Sequence, residues 1–331
     1  MKRNLAFLFA ILPTTVVAAE PDSKRSDAKS AEAAIARGLA FLVSDAKAWK
    51  EKHKCVSCHH GALTVWALRE AKNAGRAVDE AALAEWSKGV ADSGDGKTGV
   101  PRPKDKPKAL NTKAVWYALA LGADPKPDDA TRAALGRFLK TVQEDQVESG
   151  AWVAWPETRL PFFGPSDEIA TAMATLAAAA DSKQAAVRDR GAGWLANAKP
   201  EKDAPEETQA IALRLLLAEK LGASAAARKP LVEKLKAIQN ADGGWRQNAR
   251  LPSDAWATGQ TLYALAKAGV AADDPAIEKG RAYLIRSQRA DGGWTMHSRP
   301  AKPGAEGAKY LVPINGAGGA WAVLGLVQTS R

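Results

Sequence analysis

The segment Lys279–Trp294, KGRAYLIRSQRADGGW, contains the feature that decides the fold of this 331-residue chain. Its last seven residues, QRADGGW, repeat an earlier stretch, QNADGGW, at Gln239–Trp245. Each copy follows an amphipathic stretch and precedes a polar loop, after which a stretch of small apolar residues begins. A repeat of about 50 residues indicates supersecondary units that bury their apolar faces against one another.

The same pair of stretches recurs upstream, and we count six pairs. In each pair the first stretch is rich in Lys, Arg and Glu, which predicts an outer helix, and the second is rich in Ala and Leu, which predicts a buried inner helix. Almost no segment has the alternation of a β-strand, so the sequence predicts an all-α fold. The predicted inner helices are Ala62–Ala71, Asn111–Gly122, Asp167–Ala179, Glu207–Gly222, Ala257–Gly269 and Gly318–Leu326.

The segment Lys279–Trp294 resembles the QW motif of squalene-hopene and oxidosqualene cyclases, with a basic residue, Gly, an aromatic-Leu pair, Gln and Gly-x-Trp in order. Similar repeats occur in protein prenyltransferase β subunits. The similarity is strongest in repeats five and six, good in repeat three, partial in one and four, and poor in two. The resemblance implies that residues 31–331 form an α/α toroid of six helical hairpins, with an inner and an outer ring of helices.

The N-terminus has the pattern of an export signal. Met1-Lys2-Arg3 is basic, an apolar run follows, and Val17-Ala18-Ala19 is a small-residue cleavage site. We therefore expect residues 1–19 to be a signal peptide, residues 20–30 to be a flexible segment, and the protein to be periplasmic or secreted. No later segment approaches about 20 uninterrupted apolar residues, so we expect no transmembrane segment after signal cleavage.

The charge of the chain argues against nucleic acid as a partner. The formal net charge is +10, and cleavage of the signal would remove Lys2 and Arg3. The remaining Lys and Arg residues are spread along the chain rather than clustered, which is not typical of a nucleic-acid-binding surface. We therefore expect no nucleic-acid partner.

Two aspartates are candidates for cyclase chemistry. In class II cyclases the catalytic acid lies in Asp-x-Asp-Asp, or in a Ser-Asp-x-Thr-Ala variant, and it protonates an alkene or epoxide. The stretch PSDAWAT (Pro252–Thr258) has Asp254 at a similar position, and PSDEIAT (Pro165–Thr171) has Asp167. Such an acid must remain protonated near neutral pH, which requires desolvation. The full Asp-x-Asp-Asp motif is absent, so the sequence leaves open whether the protein is an enzyme.

A structural interpretation of the same aspartates is a helix N-cap, because Ser-Asp before an Ala-rich run is typical of one. Two copies at equivalent positions favour the cap, since a catalytic acid needs to occur only once. Aromatic residues make up only 6% of the chain. We expect most of the 11 Trp at the turns that separate the repeats, and not in a cavity for carbocations. The prenyltransferase zinc site does not carry over, because no Cys accompanies Asp254.

The pentapeptide Cys55-Val56-Ser57-Cys58-His59 resembles a c-type haem attachment site. Two thiols at this spacing form thioether bonds to haem, and the adjacent His59 becomes the proximal iron ligand. If the ring closes, repeat six lies beside repeat one. We therefore expect Met296 or His297 as a distal ligand.

Other interpretations of this segment remain open. His53 is another candidate for the distal face, whereas His60 is adjacent to His59 and cannot easily reach it. A disulfide between Cys55 and Cys58, a redox dithiol, and a zinc site that uses Cys55, Cys58 and His59 or His60 are the alternatives to haem c.

The sequence thus predicts an exported toroid with covalently bound haem c and a role in electron transfer or redox sensing. Such a role would require a redox protein partner, and the central cavity would admit an apolar polyprenoid ligand. A terpene cyclase-like enzyme that uses Asp254 as general acid is one alternative. A non-catalytic secreted binding scaffold with a Cys55–Cys58 disulfide is another.

Overall fold

A computed structural model describes residues 21–56, 58–94, 109–154, 166–198, 207–297 and 308–330. These residues form twelve α-helices, and only isolated β-bridges join other parts of the described chain. The first helix of each hairpin is Pro21–His53 (α1), Glu80–Ala91 (α3), Asp129–Glu144 (α5), Ala185–Asn197 (α7), Ala225–Ala237 (α9) and Pro275–Ser287 (α11). The second is Leu63–Asn73 (α2), Thr112–Gly122 (α4), Asp167–Ala178 (α6), Thr208–Lys220 (α8), Ala255–Lys267 (α10) and Ala308–Thr329 (α12).

The even-numbered helices form a closed inner ring. Each of them packs against the even-numbered helices of the two neighbouring hairpins, and α12 packs against α2. The odd-numbered helices lie outside, and the first of them, α1, contacts α11 and α12. The predicted all-α, α/α-toroid fold of six helical hairpins is therefore confirmed.

Burial follows the composition of the two kinds of helix. In α10 every residue from Ala255 to Leu265 is buried, whereas Leu235 is the fully buried residue of the neighbouring outer helix α9. An Ala- and Leu-rich helix can be covered on all sides without leaving charges in the core. The assignment of inner and outer helices from sequence is confirmed.

A Gln-Gly-Trp turn joins repeat five to repeat six. The indole Nε1 of Trp245 donates to the carbonyl oxygen of Leu235 at the end of α9 (2.7 Å). Gln239 Nε2 donates both to Gly243 within the turn (2.8 Å) and to Ala276 at the start of α11 (2.9 Å). Gly243 has φ +86°, and a Cβ there would lie 2.7 Å from the carbonyl oxygen of Lys279. Only glycine fits this approach to the next outer helix.

The same turn recurs in repeats three and six, where Trp152 and Trp294 donate to carbonyl oxygens ten residues earlier. In repeat six the turn closes the ring, because Gln288 Nε2 donates to the carbonyl oxygen of Ala34 in α1 (2.9 Å). Gly292 lies against the backbone of Arg37 in α1, as Gly243 does against Lys279. The same Gln-Gly-Trp turn therefore joins neighbouring hairpins within the ring and also joins the last hairpin to the first.

The N-terminal region differs in part from the expectation. The predicted signal peptide lies outside the described residues. Within the segment 20–30, expected to be flexible, the chain is helical from Pro21 and continues into α1. Proline suits the first turn of a helix, and the Lys and Arg residues that follow are good helix formers. None of the helices in the described ranges has the length and hydropathy that a membrane-spanning segment requires.

Candidate functional site

Three of the predicted site residues lie on one rim of the toroid. Because every inner helix follows an outer helix in a hairpin, the six inner helices run in the same direction. Their N-terminal ends therefore meet at one rim. Asp167 begins α6, Asp254 precedes α10, and His59 lies in the π-helical turn Cys58–Ala62 that leads into α2.

Asp254 is the N-cap of α10 and is 1% exposed. The backbone N–H of Ala257 donates to its Oδ1 (2.9 Å), and Gln247 Nε2 donates to its Oδ2 (2.6 Å). The same Gln247 Nε2 donates to the carbonyl oxygen of His297 (3.1 Å), which fixes the orientation of the amide. Both of these hydrogen bonds are donated by N–H groups, and the bond from Ala257 is the one that an N-cap side chain accepts.

Asp167 occupies the equivalent motif but a different environment. Its side chain is exposed and accepts the backbone N–H of Ala154 (2.7 Å). The cap of α6 is the preceding residue, Ser166, whose hydroxyl accepts the N–H of Ile169 (3.3 Å). The two aspartates therefore both serve helix starts and turns, and only Asp254 is buried.

The histidines of repeat one gather around Trp49 in α1. The indole ring stacks on His53 at 3.9 Å and on His60 at 4.4 Å, and the edge of His59 approaches it at 4.6 Å between ring centroids. His60 Nε2 lies 3.2 Å from Asp45 Oδ2, and Gly316 of α12 packs over this pair. The structure thus brings repeat one and repeat six together at this point.

His59 is in a state suited to metal ligation. Burial lowers the pKa of His59 well below its ordinary value, and the neighbouring His60 and His53 lower it further. The imidazole is therefore neutral near neutral pH, which is the form that binds metals. Its Nδ1 lies 2.5 Å from Nδ1 of His60, so Nε2 is the atom that would face an iron.

Cys55 is exposed and lines a cleft of 430 Å³ at the outer end of α1. Three cationic side chains, Lys47, Lys50 and Lys54, surround the cleft together with Glu51, Val56 and Glu85. The side chain of Cys58 lies outside the described part of the structure. The described residues contain no group of three or more His, Cys, Asp or Glu side chains arranged to hold a metal ion.

The two predicted distal ligands lie in the loop of repeat six, and each contacts a different neighbour. Met296 is buried, and its sulfur packs so closely against Gly318 of α12 that a Cβ on this glycine would lie 2.3 Å from it. The side chain of Met296 is therefore part of the core beside α12. The backbone of His297 accepts a hydrogen bond from Gln247, which places it on the side of repeat five near Asp254.

The centre of the ring holds an aromatic cluster that the sequence analysis missed. Neighbouring rings in it have centroids 5.1 to 6.5 Å apart, and each residue is at most 5% exposed. Helices α4 and α10 lie on opposite sides of the ring, so the contact of Trp116 with Trp256 spans the lumen. The members of this aromatic centre are Trp66, Trp116, Trp256, Tyr263 and Trp321.

This cluster corrects the expectation that most Trp residues lie at the turns. Among the described Trp residues, Trp152, Trp245 and Trp294 occupy the Gln-Gly-Trp turns, whereas four others lie in the aromatic centre. A signal for the cluster is present in α10, where Trp256 and Tyr263 are seven residues apart and share a helix face.

A buried carboxylate lies at the other end of the aromatic centre. Glu70 of α2 accepts hydrogen bonds from Tyr263 Oη (3.0 Å), Gln328 Nε2 (2.8 Å) and Lys267 Nζ (3.2 Å). Burial raises the pKa of Tyr263 well above its ordinary value, and the negative charge of Glu70 raises it further. The phenol therefore stays protonated and donates, and the network links α2, α10 and α12.

Comparison with known proteins gives a fold and a short sequence match. No protein-family model matches the chain. A drimenyl diphosphate synthase from Streptomyces showdoensis is 38% identical over 79 residues, which is 24% of this chain and 14% of the synthase. The chain therefore spans only a small part of the length of this curated relative.

Solved structures cover nearly the whole chain. The type II terpene cyclase MstE from Scytonema, in complex with geranylgeranyl dihydroxybenzoate, matches 92% of this chain and 99% of its own with a TM-score of 0.56 and 15% identity. A glycosyl hydrolase of family 88 from Bacteroides vulgatus matches 88% of this chain and 98% of its own with a TM-score of 0.55 and 12% identity. At these identities the likeness shows a terpene cyclase-like α/α-toroid fold and not an activity.

Proposed function

We propose that this protein is a terpene cyclase-like toroid that binds an apolar polyprenoid at its aromatic centre. The observation that carries the proposal is the set of five aromatic rings that meet in the lumen on four inner helices. These rings now contact one another, so a bound ligand would separate them and lie between their faces. Their apolar faces match the repeated methyl-branched units of a polyprenoid, and the same faces stabilise a cation that develops on such a chain. The short match to a drimenyl diphosphate synthase supports this class of ligand over a carbohydrate.

The aromatic centre provides its own test, because binding there should change the fluorescence of its Trp residues. Titration of the full chain with farnesol is expected to give saturable quenching. Trp256→Leu should weaken binding by roughly tenfold, since it removes one aromatic wall of the site. Trp194→Leu in the outer helix α7 is the matched control and should leave the affinity unchanged. Absence of saturable binding, or equal weakening by both variants, would refute the proposal.

If the protein is also an enzyme, the reaction that this site favours is cyclisation of the bound polyprenoid, started by a proton from Asp254. Asp254 is buried at the rim, two residues before Trp256, which favours it over the exposed Asp167. In such a reaction the acid adds a proton to a terminal alkene, the rings close, and a proton is lost, so that the product is an isomer of the substrate. The hydrogen bonds from Ala257 and Gln247 favour the structural alternative, in which Asp254 is a cap that holds the start of α10.

Asp254→Asn separates the two roles of this residue. Asparagine is as good an N-cap as aspartate, but it cannot donate the initiating proton. If Asp254 is the acid, the variant keeps farnesol binding and loses the formation of cyclic isomers, measured by gas chromatography with mass spectrometry. If Asp254 is only a cap, binding and product formation remain as in the wild type. Asp167→Asn is the control on the exposed equivalent residue.

We also propose that Cys55, Cys58 and His59 hold haem c in the exported protein. The exposure of Cys55 at a cleft with three lysines supports this, because lysines can pair with haem propionates, and the neutral state of His59 suits an iron ligand. Bound haem would supply one-electron redox chemistry, and a periplasmic or secreted redox protein would be its partner. Zinc at the same residues and a Cys55–Cys58 disulfide in a binding scaffold are the competing proposals.

Intact-mass measurement distinguishes these proposals. Periplasmic production with the haem-attachment machinery should add the mass of one haem and give a Soret band that survives extraction with acidified acetone. Cys55→Ser with Cys58→Ser should abolish both. A loss of two mass units relative to the reduced chain would indicate the disulfide, and zinc that is removed by a chelator would indicate the metal site.

A further inference from the structure

Gln260 is a polar residue in the middle of the aromatic centre. It follows Trp256 by four residues and precedes Tyr263 by three, so the three side chains share one face of α10. The rings of Trp256 and Tyr263 both contact Trp321, at 6.1 and 5.7 Å between centroids. The amide of Gln260 therefore lies between two aromatic contacts on the side of the helix that faces the lumen.

The amide of Gln260 has no hydrogen-bond partner in the described structure. Gln260 is 1% exposed, and both Oε1 and Nε2 are buried without a partner. The indole Nε1 of Trp321, on the neighbouring inner helix α12, is also buried without a partner in the described structure. Native proteins pair nearly all such groups, because a buried polar atom without a partner is strongly unfavourable. A polar group that enters the lumen would supply what is missing.

The surroundings of Gln260 favour a neutral group over an anion. The next polar residue on its face of α10 is Lys267, and this ammonium is hydrogen-bonded to Glu70. Aromatic faces carry partial negative charge and repel anions. A diphosphate in a protein usually requires cationic or metal partners. A primary amide offers one acceptor and donors together, and a hydroxyl group satisfies both kinds.

We propose that the ligand of the aromatic centre is a polyprenoid that carries a neutral hydroxyl group, and that Gln260 binds this hydroxyl. This assignment rests on the proposed polyprenoid site, and it adds which head group of the polyprenoid the site prefers. The hydroxyl donates to Oε1 of Gln260 and accepts from Nε2, while the hydrocarbon chain lies on the Trp faces. In this proposal the diphosphate ester of the same chain binds poorly.

The test compares three probes on the full chain by Trp fluorescence titration. Farnesol is expected to bind most tightly, and its methyl ether about tenfold more weakly, because the ether cannot donate to Oε1. Farnesyl diphosphate should bind more weakly still. In Gln260→Leu the preference for farnesol over the ether should disappear. Thr261→Val, which removes a neighbouring buried hydroxyl about 100° around the helix, should retain it.

The outcomes separate this inference from the proposed function. Equal binding of farnesol and its ether to the wild type would overturn the role of the hydroxyl and leave the polyprenoid site standing. Retention of the preference in Gln260→Leu would overturn the role of Gln260, as would tighter binding of the diphosphate. Failure of all three probes to bind would overturn the polyprenoid site itself. If Gln260→Leu does not fold, Gln260→Met, which keeps the length of the side chain without the amide, replaces it in the same comparison, and retention of the preference there overturns the role of Gln260.

Discussion

The turn of repeat one and the Gln-Gly-Trp turns occupy the same place in the fold and are built differently. In the Gln-Gly-Trp turns a buried indole packs on a basic-Gly pair of the next outer helix, such as Lys279-Gly280. In repeat one the basic-Gly pair is Lys88-Gly89 of α3, and the side chain that reaches Gly89 is Val56. The hydroxyl of Tyr117 donates to the carbonyl oxygen of Val56 and completes this joint.

This difference shows which residues of repeat one the fold requires. Val56 and the Tyr117 hydrogen bond replace the indole, the Gln and the Gly of the other turns. Cys55 points into solvent, and the histidines pack on Trp49 within their own hairpin. The joint therefore does not explain the placement of Cys55 and His59, and this supports the chemical role proposed for them.

The largest loss of stability is expected when the residue at the centre of each joint is replaced by Ala. Trp294→Ala should lower the free energy of unfolding by about 4 kcal/mol, since it leaves a large cavity and removes the hydrogen bond to Leu284. Val56→Ala should cost only about 1 kcal/mol, because the side chain is half-buried and small. Urea unfolding monitored by circular dichroism measures both. Equal losses would show that the repeat-one turn is as important to the fold as the others.

The sequence was sufficient to predict features that each repeat carries within itself. Gln239–Trp245 and Gln288–Trp294 fix a turn through hydrogen bonds and a positive-φ glycine that lie within a few residues of each other. The composition of α10 predicted its burial, because an Ala- and Leu-rich helix with few charges requires cover on every side. Asp254 caps α10, as the Ser-Asp pattern favours.

Features that arise only when the ring closes were not visible in the sequence. Trp66, Trp116 and Trp321 lie in three separate inner helices, and no local pattern connects them. They become neighbours because the toroid brings α2, α4 and α12 to one lumen. The partners of Glu70 come from α10 and α12 for the same reason. The low aromatic content of the chain therefore led to the wrong expectation for the lumen, because an aromatic cluster depends on where these residues lie in the ring and not on how many there are.

The next test concerns the glycine that closes the ring. Gly292 has φ +88°, and a Cβ there would lie 2.4 Å from the carbonyl oxygen of Arg37. Gly292→Ala should cost about 3 kcal/mol, from left-handed backbone strain and the collision together. Gly269→Ala is the control, because Gly269 has φ +85° with open space around it, and only the strain of about 1 kcal/mol applies. The difference between the two melting curves isolates the close approach, and equal losses would refute it.

Substitution of the turn glutamines tests whether the joint that closes the ring contributes more stability than an internal joint. Gln288 and Gln239 each donate to the carbonyl oxygen of a glycine in their own turn and to a backbone carbonyl oxygen of the next outer helix. Replacement of either by Leu should cost about 2 kcal/mol, since carbonyl oxygens lose their donors. We expect equal losses in urea unfolding at the two positions. A much larger loss at Gln288 would show that closure of the ring adds stability beyond the local hydrogen bonds.

The smallest expected effect comes from a charge on the surface of the closing turn. The hydrogen bond from Arg289 holds the pKa of Asp291 below its ordinary value, and the backbone N–H of Gly293 adds to this. Because the folded pKa is the lower one, the carboxylate adds stability above about pH 4, and this is lost as pH falls through the folded pKa. The side chain is 54% exposed, so solvent screening limits the contribution at pH 7 to about 0.5 kcal/mol or less.

Asp291→Asn tests this contribution by its dependence on pH and salt. The variant should be slightly less stable than the wild type at pH 7, and the difference in unfolding free energy should shrink toward pH 3 and at high salt. A difference that grows as the pH falls would contradict the sign derived from the lowered pKa. If the expected result is obtained, the joint is held by its buried indole, glutamine and glycine, and its exposed charges add little. The buried groups therefore contribute more stability than the exposed charges. In repeat one Val56 takes the place of the buried groups, and the exposed residue Cys55 is not required for the joint.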